Sequence, residues 1–140
     1  MVPKILEIMN FLSYGEKLQT INFSSFDLIC LSGKNGHGKS ALLDAITWAL
    51  WGQARKASGV TKPDDGLINL GKSKMMVSLE FESQGSIYRV RREYFKSYGR
   101  PISALDFEEY DKNDEKFVAI TGKTIRATQE KIESTIGLDF

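Results

Sequence analysis

The sequence is poor in the residues that build disulfides, metal sites and histidine-dependent catalytic centres. Its 140 residues include one cysteine, one histidine and three prolines. A single cysteine, Cys30, excludes an internal disulfide and any metal site made of cysteines alone. A single histidine, His37, excludes a Ser-His or Cys-His pair elsewhere in the chain. Because Cys30 lies inside an apolar run, we interpret it as a small buried hydrophobic residue.

Long hydrophobic runs are also missing. No apolar stretch approaches the roughly 20 residues of a membrane-spanning helix. Glu7 and Asn10 stand where a signal peptide would have its apolar core. A hydrophobic share of 41% and a charged share of 26% are typical of a globular protein. We therefore expect one domain spanning residues 1–140, cytoplasmic and without a membrane partner.

The charges are balanced overall but unevenly placed. The formal net charge is +1, yet residues 86–100 hold five basic residues and one acid, and residues 106–116 hold six acids and two lysines. Basic residues beside Tyr94, Phe95 and Tyr98 can neutralise phosphates without reading bases, which makes the first segment a candidate DNA-facing surface. The alternative is a solvated strand face paired with the acidic segment.

The hydrophobic pattern predicts an α/β domain. Strands are expected at residues 4–11, 18–23 and 27–32, and the third is apolar throughout, as in a sheet covered on both faces. A helix is expected over 39–51, ended by Gly52. A hairpin turns at Gln84 and Gly85, a strand pair follows at 104–110 and 115–120, and a last helix covers 123–136 before Gly137.

Side chains of the two expected helices indicate their buried faces. Leu42, Ile46 and Ala49 form one stripe on the first helix, and Leu43 and Leu50 widen it. On the last helix the residues at helical spacing are Ile125, Ile132 and Ile136. Trp48 and Trp51 lie on the first helix, where we expect packing rather than a platform for a base.

The corner between the third strand and the first helix carries the most specific motif. Residues 33–40 read GKNGHGKS, which fits the phosphate-binding pattern G-x-x-x-x-G-K-[ST] with a strand before it and a helix after it. Gly36 and Gly38 allow positive φ, so that successive N–H groups close around an anion. The positive end of the helix adds to this attraction. The alternative is a glycine-rich turn with an incidental lysine.

Three side chains of this corner have separate expected roles. Lys39 reaches the β- and γ-phosphates of a nucleoside triphosphate, and Ser40 offers its hydroxyl to Mg²⁺. His37 stands at a variable position of the pattern and contributes its backbone N–H. The corner therefore predicts a site for ATP and Mg²⁺.

Hydrolysis also requires a carboxylate that holds Mg²⁺ and orients water. The nearest candidate is ISALDFEE, residues 102–109, but Ser103 and Ala104 suit a buried strand poorly and Glu108 follows too late. We interpret this stretch as an ordinary strand with one face exposed to solvent. The chain is expected to lack a catalytic carboxylate of its own.

Three stretches together resemble the N-terminal segment of the SbcC-type double-strand-break repair ATPases, relatives of the SMC proteins. They are NFLSYG at 10–15, GKNGHGKS at 33–40 and ALLDAITWALWG at 41–52. LINLG at 67–71 and the hairpin are similar to the family's continuation. The resemblance implies the N-terminal lobe of an ABC-type P-loop ATPase, in which the P-loop strand and helix are wrapped by an antiparallel β-meander.

The resemblance also implies a split ATPase head. In this family a coiled coil with a zinc hook separates the N-terminal lobe from a C-terminal lobe that brings the acidic and signature residues. Two heads sandwich two ATP molecules, so a second head is an ATP-dependent partner. Further implied partners are an SbcD-type nuclease and double-stranded DNA, with association to the nucleoid. Gln129 lies inside the predicted last helix and is distinct from the family's glutamine loop.

Site residues follow from the resemblance by position. The set expected to wrap the phosphates is Asn35, Gly36, His37, Gly38, Lys39, Ser40 and Ala41, with Lys39 as the catalytic residue and Ser40 on Mg²⁺. The set expected at the ribose and base is Leu12, Ser13, Ile68, Asn69 and Leu70. Many relatives have arginine in place of Leu12, so this part of the pocket relies on backbone and apolar contact; Leu12 is equally readable as a core residue.

Other readings of the P-loop remain open at the level of sequence. The main alternative to an SbcC-type lobe is the head lobe of another SMC-, RecN- or RecF-like DNA ATPase. A transporter-type ATPase, a small self-contained P-loop NTPase or nucleotide kinase, and a module that only senses nucleotide are further alternatives.

Overall fold

Six strands form one antiparallel sheet in the computed structural model, which describes residues 1–23, 37–53, 64–96 and 100–137, with the backbone alone for 37–40 and 64–65. The strands are β1 Val2–Met9, β2 Gln19–Asn22, β3 Lys74–Ser83, β4 Ser86–Phe95, β5 Ile102–Asp111 and β6 Lys116–Ala119. The helices are α1 His37–Trp51 and α2 Ile125–Ile136, and a 3-10 turn covers Asp64–Leu67. The expected strand at 27–32 lies outside the described residues.

The strand order is β2-β1-β3-β4-β5-β6, so β3 to β6 form a continuous meander. The β3–β4 hairpin turns at Gln84 and Gly85, whose φ angles are 51° and 82°. Two successive positive φ values match the right-handed twist of a two-residue hairpin. The predicted hairpin and the predicted meander are thereby confirmed.

One face of the sheet carries the hydrophobic core. Val77 and Leu79 of β3 belong to this core, and both are fully buried. Trp48 of α1 and Ile132 of α2 are members of the same hydrophobic cluster. Trp48 is only 1% exposed, which confirms it as a packing residue; burying so large a side chain stabilises the fold by about 3 kcal/mol.

The first helix differs from expectation in its start and in its buried stripe. It begins at His37, and Gly52 ends it with a φ of 72° and an N–H that donates to the Trp48 carbonyl at 2.7 Å. Leu43 was expected on the buried stripe, but it is 61% exposed because the helix turns Ala45 and Ala49 toward the sheet. In the described part of the chain, neither helix has the length and apolar composition to cross a bilayer.

The second helix begins two residues later than predicted. Thr124 has an extended backbone and its hydroxyl accepts a hydrogen bond from the Ala127 N–H at 3.0 Å, which makes it the N-cap. Gly137 ends the helix with a φ of 72°, as predicted. Thr128 occupies the buried face together with Ile132 and Ile136, whereas Ile125 is 45% exposed and lies off that face.

Candidate nucleotide-binding site

The described part of the P-loop corner is the start of α1. The helix begins at His37, so Gly38, Lys39 and Ser40 form its first turn, and Ala41 behind them is buried. N–H groups of a first turn have no acceptor within the helix, and the helix dipole is positive there. This end of α1 therefore presents backbone donors suited to an anion.

Several predictions for this corner remain untested. Asn35 and Gly36, and the side chains of His37, Lys39 and Ser40, lie outside the described residues. Gly38 has the freedom to take a positive φ, but it is part of the helix. Its contribution is then an unpaired helical N–H rather than a left-handed turn.

A tight turn follows β1 at residues 10–15. The Asn10 N–H donates to the Gly15 carbonyl at 2.9 Å, and the Tyr14 N–H donates to the Phe11 carbonyl at 2.9 Å. Asn10 and Leu12 have positive φ angles of 54° and 51°. Because leucine rarely adopts this region, the turn depends on contacts that hold it in place.

Those contacts come from residues 67–70, more than fifty positions further along the chain. The Leu12 N–H donates to the Leu67 carbonyl at 2.7 Å, and the Asn69 N–H donates to the Asn10 carbonyl at 2.8 Å. Phe11 and Ile68 form an isolated antiparallel bridge. We call residues 10–15 and 67–70 together the ledge.

The ledge brings together the residues predicted to line the ribose and base. Leu12, Ile68 and Asn69 are part-buried, whereas Ser13 is exposed and Leu70 is 96% exposed. The side-chain amide of Asn69 donates to the Leu12 carbonyl at 2.6 Å, so it fastens the ledge. Contact between these residues and a nucleotide stays a prediction.

The ledge is attached to the same helix that starts in the P-loop. Phe11 is fully buried and its ring lies 5.7 Å from the Trp48 ring, centroid to centroid. Trp48 lies nine residues after Lys39, about 13 Å along the helix axis at 1.5 Å per residue. The helix whose first turn carries the end of the GKNGHGKS motif therefore also packs against the ledge.

Sequence reasoning missed a buried polar side chain in the ledge. Asn10 is 8% exposed, and among the described residues no donor reaches its buried Oδ1. Such an unmet acceptor costs about 1–3 kcal/mol. Asparagine tolerates positive φ better than most residues, and this tendency could have pointed to the conformation of Asn10.

Two arginines of the basic segment, Arg89 and Arg92, interact with other parts of the protein. Arg89 Nε donates to Glu108 Oε1 at 2.8 Å, and its guanidinium lies 4.1 Å from the centre of the Phe117 ring. The hydrogen bond to Glu108 is the main reason that the pKa of Arg89 is raised. Arg92 is buried. At Arg89 the structure thus favours a strand face paired with the acidic segment over a DNA-facing surface, and at Arg92 it shows a buried side chain bound to other parts of the protein.

The candidate catalytic stretch is an ordinary strand, as expected. Residues 102–109 belong to β5, whose buried residues include Leu105 and Phe107 while Asp106 is exposed. The Glu108 carboxylate is engaged by Arg89, and Glu80 lies nearby on β3. Burial raises the pKa of Glu80, the charge of Arg89 opposes this, and the carboxylates of Glu7 and Glu108 reinforce it.

Comparison with known proteins identifies the family. The sequence profile of a family described as an AAA domain matches residues 6–140. The chain is 31% identical to the SbcC subunit of the SbcCD nuclease of Deinococcus radiodurans over its whole length, and 33% identical to the protein of that name from Staphylococcus aureus over 95% of the chain. It is 34% identical to a "Probable DNA double-strand break repair Rad50 ATPase" of Aquifex aeolicus over 78% of the chain.

These relatives are much longer proteins. The chain spans 15%, 11% and 14% of the Deinococcus, Aquifex and Staphylococcus proteins. A solved structure from work on ATP-driven dimerization and DNA-stimulated activation of SMC ATPases superposes with a TM-score of 0.63. That match covers 99% of this chain and 81% of the other at 24% identity, so it shows the fold, that of the N-terminal lobe of an ABC-type P-loop ATPase. The chain belongs to the AAA domain family and is homologous to the SbcC and Rad50 proteins.

Proposed function

We propose that residues 1–140 form the ATP-binding N-terminal lobe of an SbcC-type DNA-repair ATPase head. The observation that carries the proposal is the position of GKNGHGKS, whose last four residues form the first turn of α1. Unpaired N–H groups at that end are donors for phosphate oxygens. The fully buried core around Trp48 fixes the direction of the helix.

Within this proposal each predicted residue keeps its role. Lys39 binds the β- and γ-phosphates and Ser40 supplies a hydroxyl ligand to Mg²⁺, with backbone donors from Asn35 to Ala41 around the phosphates. The ledge residues Leu12, Ser13, Ile68, Asn69 and Leu70 line the ribose and base, with Ser13 and Leu70 as its most exposed parts. Mg²⁺ would neutralise charge on the phosphates.

The names of the relatives also support proposals about the partners of the whole protein. Relatives named as the SbcC component of the SbcCD nuclease support an SbcD-type nuclease partner, and the SMC likeness is compatible with a second head joined through ATP. Because the chain spans 15% of its Deinococcus relative, we assign hydrolysis to the head completed by a C-terminal lobe. Double-stranded DNA and the nucleoid belong to this proposed role of the whole protein.

Equilibrium binding of MgATP tests the proposal. The wild-type chain should bind one ATP in the presence of Mg²⁺, and Lys39→Ala should lower the affinity at least ten-fold with an unchanged circular dichroism spectrum, because a point charge on the phosphates is lost. Lys123→Ala, at an exposed lysine before α2, is the matched control and should bind as the wild type does. Equal affinity of folded Lys39→Ala and wild type would refute the P-loop assignment.

A further inference from the structure

Three donors bind carbonyls at the C-terminal end of α1, one from the residue that follows the helix and two from other elements. The last four carbonyls of a helix have no donor within it. Here the Trp48 carbonyl accepts from the Gly52 N–H at 2.7 Å, and the Ala49 carbonyl accepts from Arg92 Nε at 3.3 Å. The Leu50 carbonyl accepts from Gln129 Nε2 at 2.8 Å. Two of these donors are side chains brought by β4 and α2.

Arg92 and Gln129 also bind each other. Arg92 Nη2 donates to Gln129 Oε1, so a hydrogen-bonded chain runs from one α1 carbonyl through both side chains to the next carbonyl. Arg92 is 9% exposed and its guanidinium lies 6.0 Å from the centre of the Trp48 ring. A buried positive charge here faces the negative end of the α1 dipole. We call Arg92 and Gln129 the clamp.

Gly52, the residue that ends α1, leaves space for Arg92 of the clamp. Gly52 has a φ of 72°, and a Cβ built on it would lie 3.0 Å from Arg92 Nη1. Any side chain at this position would therefore meet both backbone strain and the guanidinium. The lack of a side chain at Gly52 therefore allows the Arg92 guanidinium to lie against the end of α1.

The clamp connects α2 with the helix that begins at the phosphate corner. α1 has 15 residues and is thus about 22 Å long, with its first turn at the phosphates and its last turn in the clamp. A rigid helix transmits a displacement of one end to the other. Gln129 lies on α2 between the core residues Thr128 and Ile132, so α2 and α1 share this contact.

We propose that Arg92 and Gln129 are positioning residues for the nucleotide site, which hold the far end of α1 and couple α2 to occupation of the phosphate corner. This inference rests on the proposed function, since it concerns the same ATP. The clamp touches no phosphate; it acts by fixing the helix that presents the donors. By reciprocity of coupling, bound ATP stabilises the clamp and with it α2.

The test combines MgATP affinity with amide hydrogen exchange of α2. Arg92→Met and Gln129→Leu should each weaken binding at least five-fold, the low end of common coupling strengths. The double variant should be hardly weaker than Arg92→Met alone, because both changes break one network. In the wild type, MgATP should slow exchange of the amides at 125–136, and in either variant this protection should disappear.

Controls separate the inference from stability and from the proposed function. Arg91→Met removes the neighbouring arginine, which is exposed and bound to Glu93 of its own strand, and should change neither readout. If Arg92→Met does not fold, Gln129→Leu, at a part-buried neutral residue, carries the test. Folded clamp variants with wild-type affinity and wild-type α2 protection would overturn the inference. Failure of the wild type to bind ATP would instead refute the proposed function.

Discussion

At the scale of single residues, the ledge shows how a strained turn is held. Leu12 has a φ of 51°, in a region that costs a residue with a Cβ about 1–2 kcal/mol. Its N–H and carbonyl are both bound, to the Leu67 carbonyl and the Asn69 side chain. Hydrogen bonds across a long sequence separation thus offset a local cost, and local propensity alone gives no sign of them.

Asn69→Ala tests this arrangement. Removal of the amide leaves the part-buried Leu12 carbonyl without its donor, so the free energy of unfolding should fall by about 1–2 kcal/mol. Urea unfolding followed by circular dichroism measures it. Leu70→Ala, at a neighbouring residue that is 96% exposed, should change the free energy of unfolding by less than about 0.5 kcal/mol. Equal effects of the two changes would contradict the role given to Asn69.

Glu80 provides a prediction with a defined pH dependence. Burial raises its pKa, so the folded chain binds a proton at Glu80 more readily than the unfolded chain. The free energy of unfolding therefore falls as pH rises from the pKa of Glu80 in the unfolded chain to its pKa in the folded chain. Above the folded-state pKa it stays at the lower value. Glu80→Gln should melt at a higher temperature than the wild type at pH 7, and the difference should shrink as pH is lowered to 4.

The measurement is a series of thermal melts between pH 4 and pH 8. Glu115→Gln, in the exposed β5–β6 turn, controls for the loss of one negative charge. A Glu80→Gln variant that is less stable than the wild type at pH 7 would show that attraction to Arg89 outweighs burial.

At the scale of elements, caps decide the boundaries that hydrophobic spacing left uncertain. The spacing of Ile125, Ile132 and Ile136 indicated a helix but assigned Ile125 to its buried face. Thr124 caps the helix and Thr128 takes the inner position, fully buried and bound to the Thr124 carbonyl at 2.9 Å. A buried threonine satisfied by its own helix is invisible to a pattern of apolar residues.

Thr124→Ala tests the cap. Loss of the hydroxyl that accepts from the Ala127 N–H should lower the free energy of unfolding by about 1 kcal/mol, measured by urea titration. Thr124→Ser keeps an oxygen at the same place and should retain most of the stability. If alanine and serine behaved alike, the hydroxyl would not be the stabilising group.

At the scale of the whole molecule, the meander could be predicted and the tertiary roles of its arginines could not. The Gln84-Gly85 turn and the strand pair that follows it are local signals, and the structure confirms both. Whether Arg89 and Arg92 face DNA or the protein depends on which strands and helices pack beside them. Glu108 and Gln129, their partners, lie 19 and 37 residues away in sequence. Pairings over such distances follow from topology.

The candidate site divides in the same way. A contiguous motif can be recognised in a sequence because eight successive residues carry its chemistry. GKNGHGKS thus predicts an anion-binding corner, and its described residues form the start of α1. The ledge residues were placed by family resemblance, and the structure brings their two segments together. Asn10 and the clamp were missed, since each depends on burial that composition does not reveal.

Turnover of MgATP by the chain alone, and after addition of the C-terminal lobe of an SbcC relative, is the most direct test of the central claim that this is one lobe of a split head. We predict one bound ATP with negligible hydrolysis by residues 1–140, and hydrolysis once the second lobe is present. Steady turnover by the chain alone would contradict the claim, because it would require a catalytic carboxylate within these residues and would favour a self-contained NTPase.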